Sequence, residues 1–118
     1  MNEDITKFAI LDYIKNHEGA TYADIEEIFS DNGFDYKGDL LLCSEHDPNV
    51  VFWGGWNNRA HELICSLIRS GEIVREPCHI IHYLVSGRLS SLPLLRRYSE
   101  NSKLKNEHWL PCIFTTPK

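Results

Sequence analysis

The sequence has no apolar run of the roughly 18 residues that a membrane-spanning helix needs, and it contains no internal repeat and no low-complexity linker. Its first residues, MNEDITKF, lack the basic region and the apolar stretch of a secretion signal. We therefore expect a cytoplasmic protein without a membrane segment.

Common catalytic and cofactor motifs are also missing. The sequence has no G-x-S-x-G elbow, Walker loop, H-E-x-x-H motif or dinucleotide-binding glycine pattern. No C-x-x-C pair occurs, and His61 with Cys65 would supply only two of the four ligands of a structural zinc site. We expect no enzyme activity, no cofactor, no metal site and mainly buried thiols at the four cysteines, which are Cys43, Cys65, Cys78 and Cys112.

Composition indicates one globular domain over residues 1–118, because 42% of the residues are hydrophobic and 25% are charged. The net charge of −5 is unevenly spread. Residues 1–58 hold three Lys/Arg and twelve Asp/Glu, whereas residues 59–118 hold nine and five. Nonspecific nucleic-acid binding depends on neutralised phosphates, so the acidic total argues against it, although a basic face on an acidic body would still allow it.

Helical periodicity predicts two helices in the first third of the chain. Asp4 can cap a helix from Ile5 to about His17, with so many apolar residues that we expect it to be largely buried. Thr21 and Asp24 resemble a capping box that starts a second helix. Its apolar residues are Tyr22, Ile25, Ile28 and Phe29. Its acidic residues, expected to face solvent and to repel a phosphate backbone, are Asp24, Glu26, Glu27 and Asp31.

Residues 35–56 break the helical period and predict an inserted β-hairpin. Two apolar runs, DLLLCS and NVVFWGG, flank the turn-like EHDPN. Alternation along VVFW places two apolar side chains on each face of the strand, so at least one face is strongly hydrophobic. We interpret Trp53 and Trp56 mainly as core side chains. The alternative is a groove for a ligand or a partner.

A third helix, capped by Asn57 or Asn58, is predicted to reach about Ser70. After it, EIVREP and CHIIHYLVSG alternate with a period of two and predict the paired strands of a wing hairpin. The order of three helices and a hairpin predicts an α+β winged helix-turn-helix fold. Residues 35–56 are then an insertion, and residues 88–118 are a C-terminal extension long enough for a short helix and a strand.

The polar face of the third helix is the predicted nucleic-acid site. In helix-turn-helix docking this helix enters the major groove, where Asn pairs with adenine and Arg with guanine. The predicted contacts to double-stranded DNA are Asn58, Arg59, Glu62, Ser66 and Arg69, with Arg75 of the wing on a phosphate. A solvated face whose charges relieve one another explains the same residues equally well. A homodimer would add a second half-site.

The rival function is a protein-interaction module without DNA binding. Its predicted contacts are Asp24, Glu27, Trp53 and Trp56. A further basic cluster would contact phosphate or an acidic partner, or would only keep the surface soluble; it comprises Arg88, Arg96, Arg97, Lys103 and Lys105.

Three segments, DLLLCSEHDPNVVFWGGWN, IVREPCHIIHYLVSG and EHWLPCIF, resemble a family of small proteins of staphylococcal pathogenicity islands and related temperate phages. The resemblance covers roughly residues 5–115 and depends on overall pattern. It implies a winged-helix-like architecture, with no established activity or functional residues. Mobile-element proteins of this size often regulate transcription or bind a host or helper-phage protein, so the resemblance implies DNA or such a protein as the partner.

Overall fold

A computed structural model describes residues 2–98 and 103–117, which form an α+β fold with four helices and two three-stranded sheets. The helices are α1 (Asn2–Asn16), α2 (Tyr22–Asp31), α3 (Asn58–Arg69) and α4 (Ile81–Leu84). The strands are β1 (Ala20–Thr21), β2 (Lys37–Cys43), β3 (Val50–Trp56), β4 (Val74–Pro77), β5 (His108–Trp109) and β6 (Cys112–Thr115).

Helix α2 begins at the predicted capping box. The Thr21 hydroxyl accepts a hydrogen bond from the Asp24 N–H at 3.1 Å, and the Asp24 carboxylate accepts one from the Thr21 N–H at 2.9 Å. The two bonds satisfy backbone donors that have no partner inside the helix. The four predicted apolar residues of α2 are buried, which confirms its inward face; they are Tyr22, Ile25, Ile28 and Phe29.

Helix α1 is less buried than predicted. Its inward stripe consists of Thr6, Ile10 and Ile14, spaced four residues apart. Ile5 and Phe8 are 61% and 72% exposed, so the expectation of a largely buried helix was wrong. Helix α1 packs on α2, α3 and β6 along one side, and a helix with neighbours on one side can bury only one stripe.

The predicted β-hairpin is confirmed, since β2 and β3 pair antiparallel. Strand β5 pairs parallel to β3, which gives the sheet order β2-β3-β5. Both faces of β3 are buried, so this strand contributes to the core on each side; the side chains concerned are Val50, Val51, Phe52 and Trp53. The hairpin is therefore an integral part of the core.

The predicted wing hairpin is wrong. Strand β4 pairs antiparallel with β6, with Val74 opposite Thr115 and Pro77 opposite Cys112. Strand β6 also pairs antiparallel with β1, so the second sheet has the order β1-β6-β4. Within residues 88–98 and 103–117 the extension supplies β5 and β6, and the helix predicted there does not form.

Burial explains why β4 pairs with β6 and not, as predicted, with residues 78–87. Strand β6 places Cys112 and Phe114 in the core, with 1% and 0% exposure. In residues 78–87 only Tyr83 is buried, while Ile81 and Leu84 are exposed. The chain there forms the short helix α4 instead of a strand.

A continuous group of aromatic rings joins the two sheets in the core. The rings of Tyr22 and Phe114 meet edge to face with centroids 4.8 Å apart, and those of Tyr83 and Trp109 do so at 5.0 Å. The indole N–H of Trp109 donates to the Phe52 carbonyl at 3.0 Å. Edge-to-face contacts stabilise aromatic pairs beyond simple burial. The helices and both sheets therefore share one core.

Candidate nucleic-acid interface and adjoining groove

Helix α3, which carries most of the predicted DNA contacts, starts directly after β3. The side-chain oxygen of Asn57 accepts a hydrogen bond from the Ala60 N–H at 2.9 Å, so Asn57 is the N-cap. The apolar face packs into the core through Ala60, Leu63, Ile64 and Leu67. This packing fixes α3 and leaves its opposite side open to solvent.

The outer face of α3 presents most of the predicted contacts. The exposed residues are Asn58, Arg59, Glu62 and Arg69. Ser66 is half-buried, and its hydroxyl donates to the Leu63 carbonyl at 2.7 Å. The helix itself therefore occupies the Ser66 hydroxyl, whereas the other four side chains are accessible.

Both arginines of this face already have intramolecular contacts. Arg69 forms an ion pair with Glu62 and lowers the pKa of that carboxyl. The Arg59 guanidinium lies 4.7 Å from the centroid of the Phe34 ring, a cation–π contact. Glu62 and Arg69 are mostly exposed, so water and salt weaken their attraction, and a phosphate can compete for the guanidinium.

Arg75 lies on β4, in the sheet, and not on a projecting wing as predicted. Its Nη1 donates to the Tyr22 hydroxyl at 3.2 Å, and its guanidinium carbon lies 3.9 Å from the centroid of the Phe52 ring. Arg75 is half-buried. These contacts hold the guanidinium against the body of the protein, and a contact of Arg75 with a DNA phosphate stays a prediction.

A groove of about 500 Å³ runs along one side of α3. One wall belongs to α3, with His61, Glu62, Cys65 and Arg69; the other belongs to the turn between β2 and β3, with Ser44, Glu45 and His46. Further lining residues include Phe52, Arg75, Pro77, Tyr98, Leu110 and Cys112. The inserted hairpin therefore flanks the outer face of α3 and leaves its polar residues accessible.

Two thiols that line this groove, Cys65 and Cys112, are not activated. Burial raises the pKa of Cys65 and raises that of Cys112 to about 12, so both stay protonated near neutral pH. Among the described residues, no three His, Cys, Asp or Glu side chains are arranged to hold a metal ion. The expectation of buried cysteines holds fully for Cys112 alone; Cys65 and Cys78 are half-buried, and Cys43 is exposed.

The two tryptophans of VVFWGGW belong to the core. Trp53 is 7% exposed and Trp56 is 0% exposed. Each indole N–H donates to Oε2 of Glu26 at 2.8 Å. The core interpretation is confirmed. The alternative assignment to a partner surface is contradicted for Trp56, which is fully buried. Trp53 keeps a small exposed part that lines a pocket of about 310 Å³ with Leu41 and Leu89.

Glu26 was predicted to face solvent, and this prediction was wrong because the residue is 4% exposed. Its second oxygen, Oε1, forms an ion pair with Arg88. A buried carboxylate is costly unless it is hydrogen-bonded and paired, and the two indoles and Arg88 meet both requirements. We name these four residues the Glu26 cluster. The missed signal was spacing: Glu26 follows Tyr22 by four residues, which places both on one helix face.

The remaining acidic residues of α2 keep an outward surface. Glu27 and Asp31 are exposed, and Asp24 is half-buried because it serves the capping box. Of the predicted basic cluster, Arg88 is engaged by Glu26. The other members are exposed; they are Arg96, Arg97, Lys103 and Lys105.

No protein-family model, curated protein or solved structure matches the chain. Among the helices of residues 2–98 and 103–117, none combines the length and the apolar character needed to cross a bilayer. Function is therefore inferred from the outer face of α3, the groove beside it and the charges around them.

Proposed function

We propose that the chain is a winged-helix protein that binds double-stranded DNA through the outer face of α3 and regulates a mobile genetic element. The order of elements supports the fold assignment. Helix α1 is followed by β1, α2 and α3, and β6 lies between β1 and β4 in the sheet. This order and this sheet support the proposal of a winged-helix arrangement. Residues 35–56 are inserted before the third helix, and residues 78–111 replace a short wing.

The observation that carries the DNA-binding proposal is the accessible polar face of α3. Asn58 and Arg59 lie in its first turn and are exposed. Recognition helices contact base edges mainly with their N-terminal residues, and Asn and Arg are the side chains that read adenine and guanine. Arg69, in the last turn, then serves a phosphate once Glu62 releases it.

Charge limits the affinity of one copy. The face carries Arg59 and Arg69 against Glu62, and the whole chain has a net charge of −5. Long-range attraction to DNA is therefore weak, and we expect one copy to bind DNA only at low salt. We propose a homodimer that occupies two half-sites, because two weak contacts then combine on one DNA molecule.

Retention of the protein on fragmented DNA from the encoding genome tests this proposal. We expect retention at low salt, release along a salt gradient, and enrichment of particular fragments when the bound DNA is sequenced. The Arg59→Ala/Arg69→Ala variant should bind about tenfold more weakly or worse, since it loses the base contact of Arg59, which contributes roughly 1–3 kcal/mol, and the phosphate contact of Arg69.

The matched control is Arg96→Ala/Arg97→Ala, which removes two exposed arginines outside α3. It should retain DNA binding, and circular dichroism should show that both variants are folded. Unchanged retention of the Arg59→Ala/Arg69→Ala variant would contradict the assignment of α3. Absence of retention by the parent protein at low salt would reject DNA binding altogether.

A second candidate is a protein-interaction module on the same scaffold. The favouring observation is that all three arginines predicted to contact DNA have intramolecular contacts. The surface for it is the acidic side of α2, with Glu27 and Asp31 exposed, and charge complementarity calls for a basic segment of a host or phage protein. Under this candidate, Glu27→Lys/Asp31→Lys abolishes capture of the partner, and no DNA is retained at low salt.

A further inference from the structure

One cation in the groove beside α3 has no anionic partner among the residues that the structure describes. In residues 2–98 and 103–117 the ion pairs are Arg69 with Glu62 and Arg88 with Glu26, and Arg75 is in neither. Its two contacts, the Phe52 ring and the Tyr22 hydroxyl, carry no charge. Burial raises the pKa of Tyr22, so that hydroxyl stays neutral.

This arrangement leaves a half-buried guanidinium partly desolvated without a counter-charge. Removing a cation from water costs free energy, which an anion with good geometry offsets. Arg75 has five N–H donors, and the Tyr22 hydroxyl occupies one of its nitrogens. The ring of Phe52 and the Tyr22 hydroxyl hold the guanidinium in one orientation, so little side-chain entropy is lost when an anion binds.

We propose that the groove binds a small oxyanion, a carboxylate or a phosphate joined to an aromatic or other apolar group, and that Arg75 holds the anion. Arginine matches both anions through parallel N–H donors. The volume of about 500 Å³ lies within the usual range for small-molecule sites. Pro77, Leu110 and Tyr98 supply apolar surface for the remainder of the ligand.

The other charges of the groove define the ligand further. Glu45 and Glu62 also line the groove and disfavour a ligand of high negative charge. Arg69 lines it as well, and a bound anion competes with Glu62 for that guanidinium. The ligand thus contacts the same helix that we propose reads DNA. Its role as an effector depends on the proposed function, but its binding does not.

A small ligand fits these observations better than a DNA phosphate does. The Arg75 guanidinium lies over a ring that is buried, within a groove walled by α3 and the β2–β3 turn. A duplex backbone contacts side chains that project into its path. A carboxylate or phosphate on a small molecule can enter between the walls.

Isothermal titration calorimetry on the full chain tests the proposal with three probes: benzoate, adenosine 5′-monophosphate and inorganic phosphate. We expect one organic probe to bind more tightly than inorganic phosphate. Benzoate alone would identify a carboxylate ligand, and the nucleotide alone would identify a phosphate ligand. Saturation by neither organic probe up to about 10 mM would overturn the proposal.

Variants then test the role of Arg75. Arg75→Met keeps an apolar stem over Phe52 without the charge and should weaken binding about tenfold or more, because it removes charge-assisted hydrogen bonds. The matched control, Arg97→Met, removes an exposed arginine that does not line the groove and should bind like the parent. If Arg75→Met does not fold, Arg75→Lys, which keeps the charge without the paired donors, should also weaken binding.

Equal affinity in the folded Arg75 variant and the parent would overturn the assignment. The DNA-retention assay is a separate measurement. Repeating it with the probe bound to the protein shows whether DNA affinity changes, which measures the coupling between the groove and α3. A protein that binds a probe but no DNA would refute the proposed function and leave the ligand site standing.

Discussion

Replacing Glu26 by alanine should destabilise the protein more than removing its ionic partner Arg88. Oε2 of Glu26 accepts both indole N–H groups, from Trp53 and Trp56, at 2.8 Å. Trp56 is 0% exposed, so water cannot take over as acceptor. In Glu26→Ala both indoles lose their hydrogen bonds inside the core.

The magnitude follows from these lost bonds. An unsatisfied buried donor costs roughly 1–3 kcal/mol, so two of them cost about 2–6 kcal/mol. The Arg88 side chain is 42% exposed, and once released it is hydrated and adds little. Domains of this kind have a free energy of unfolding of about 5–15 kcal/mol, so Glu26→Ala removes a large share of it.

Arg88→Met should cost less, because the Glu26 carboxylate keeps both indole bonds and loses only a partly exposed counter-charge. Glu26→Gln keeps a carbonyl acceptor for the indoles but turns an amide N–H₂ towards Arg88. The double variant Glu26→Gln/Arg88→Met removes that conflict, so its destabilisation should be smaller than the two single effects added together.

Urea denaturation, followed by tryptophan fluorescence and by circular dichroism, measures these differences. A free energy of unfolding of Glu26→Ala within about 1 kcal/mol of the parent value would refute this prediction, since ordinary point substitutions have effects of that size. NMR measurement of the exchange rates of the Trp53 and Trp56 indole N–H protons with solvent gives an independent test. Both rates should rise in Glu26→Ala and not in the variants that keep an acceptor at position 26.

Two further predictions use the same denaturation assay. Phe8→Ser should change the free energy of unfolding by less than roughly 0.5 kcal/mol, whereas Ile10→Ala should cost about 2–5 kcal/mol, because Phe8 is 72% exposed and Ile10 is 0% exposed. Equal losses would contradict the burial of α1. The Asp47 carboxylate accepts hydrogen bonds from the backbone N–H groups of Leu104 and Asn49 at 2.9 and 3.0 Å, which lowers its pKa below the ordinary 3.8. The stabilisation that Asp47 contributes is complete above the ordinary pKa and is lost as pH falls through the lower pKa of the folded state. The difference in free energy of unfolding between the parent and Asp47→Asn should therefore become smaller in acid. A difference that does not change with pH would contradict this prediction.

Local signals in the sequence predicted where α2 and α3 begin and where the hairpin lies. The cap at Thr21 and the cap at Asn57 each depend on residues within one helical turn. The hairpin of residues 35–56 depends on two adjacent runs and the turn between them. Each of these signals is contained in a short stretch of chain, which is why sequence reasoning could find it.

Long-range pairing could not be predicted in the same way. The alternation of β4 shows that it is a strand but does not specify its partner, and the neighbouring residues 78–87 were the simplest choice. The true partner is β6, which wins because Phe114 fills the core. Two strand edges far apart in the sequence carry no local mark of their pairing.

The outer face of α3 was predictable from helical period, but the surroundings of its arginines were not. Arg59 meets Phe34, and Arg75 meets Phe52 and Tyr22, through contacts that only the folded chain creates. Glu26 was misplaced for a different reason. Its spacing from Tyr22 indicates burial and its charge indicates exposure, and the hydrogen bonds from Trp53 and Trp56 that make burial possible come from a distant strand.

Strand β6 lies in the middle of its sheet, yet it is translated after both of its neighbours. While the nascent chain leaves the ribosome, β1 and β4 emerge first, each with an open backbone edge and with no Phe114 to close the core. Such edges bind other strands readily and favour aggregation. This domain therefore has to complete its sheet after residues 112–115 have emerged, and the chain before that moment is the form that molecular chaperones should recognise.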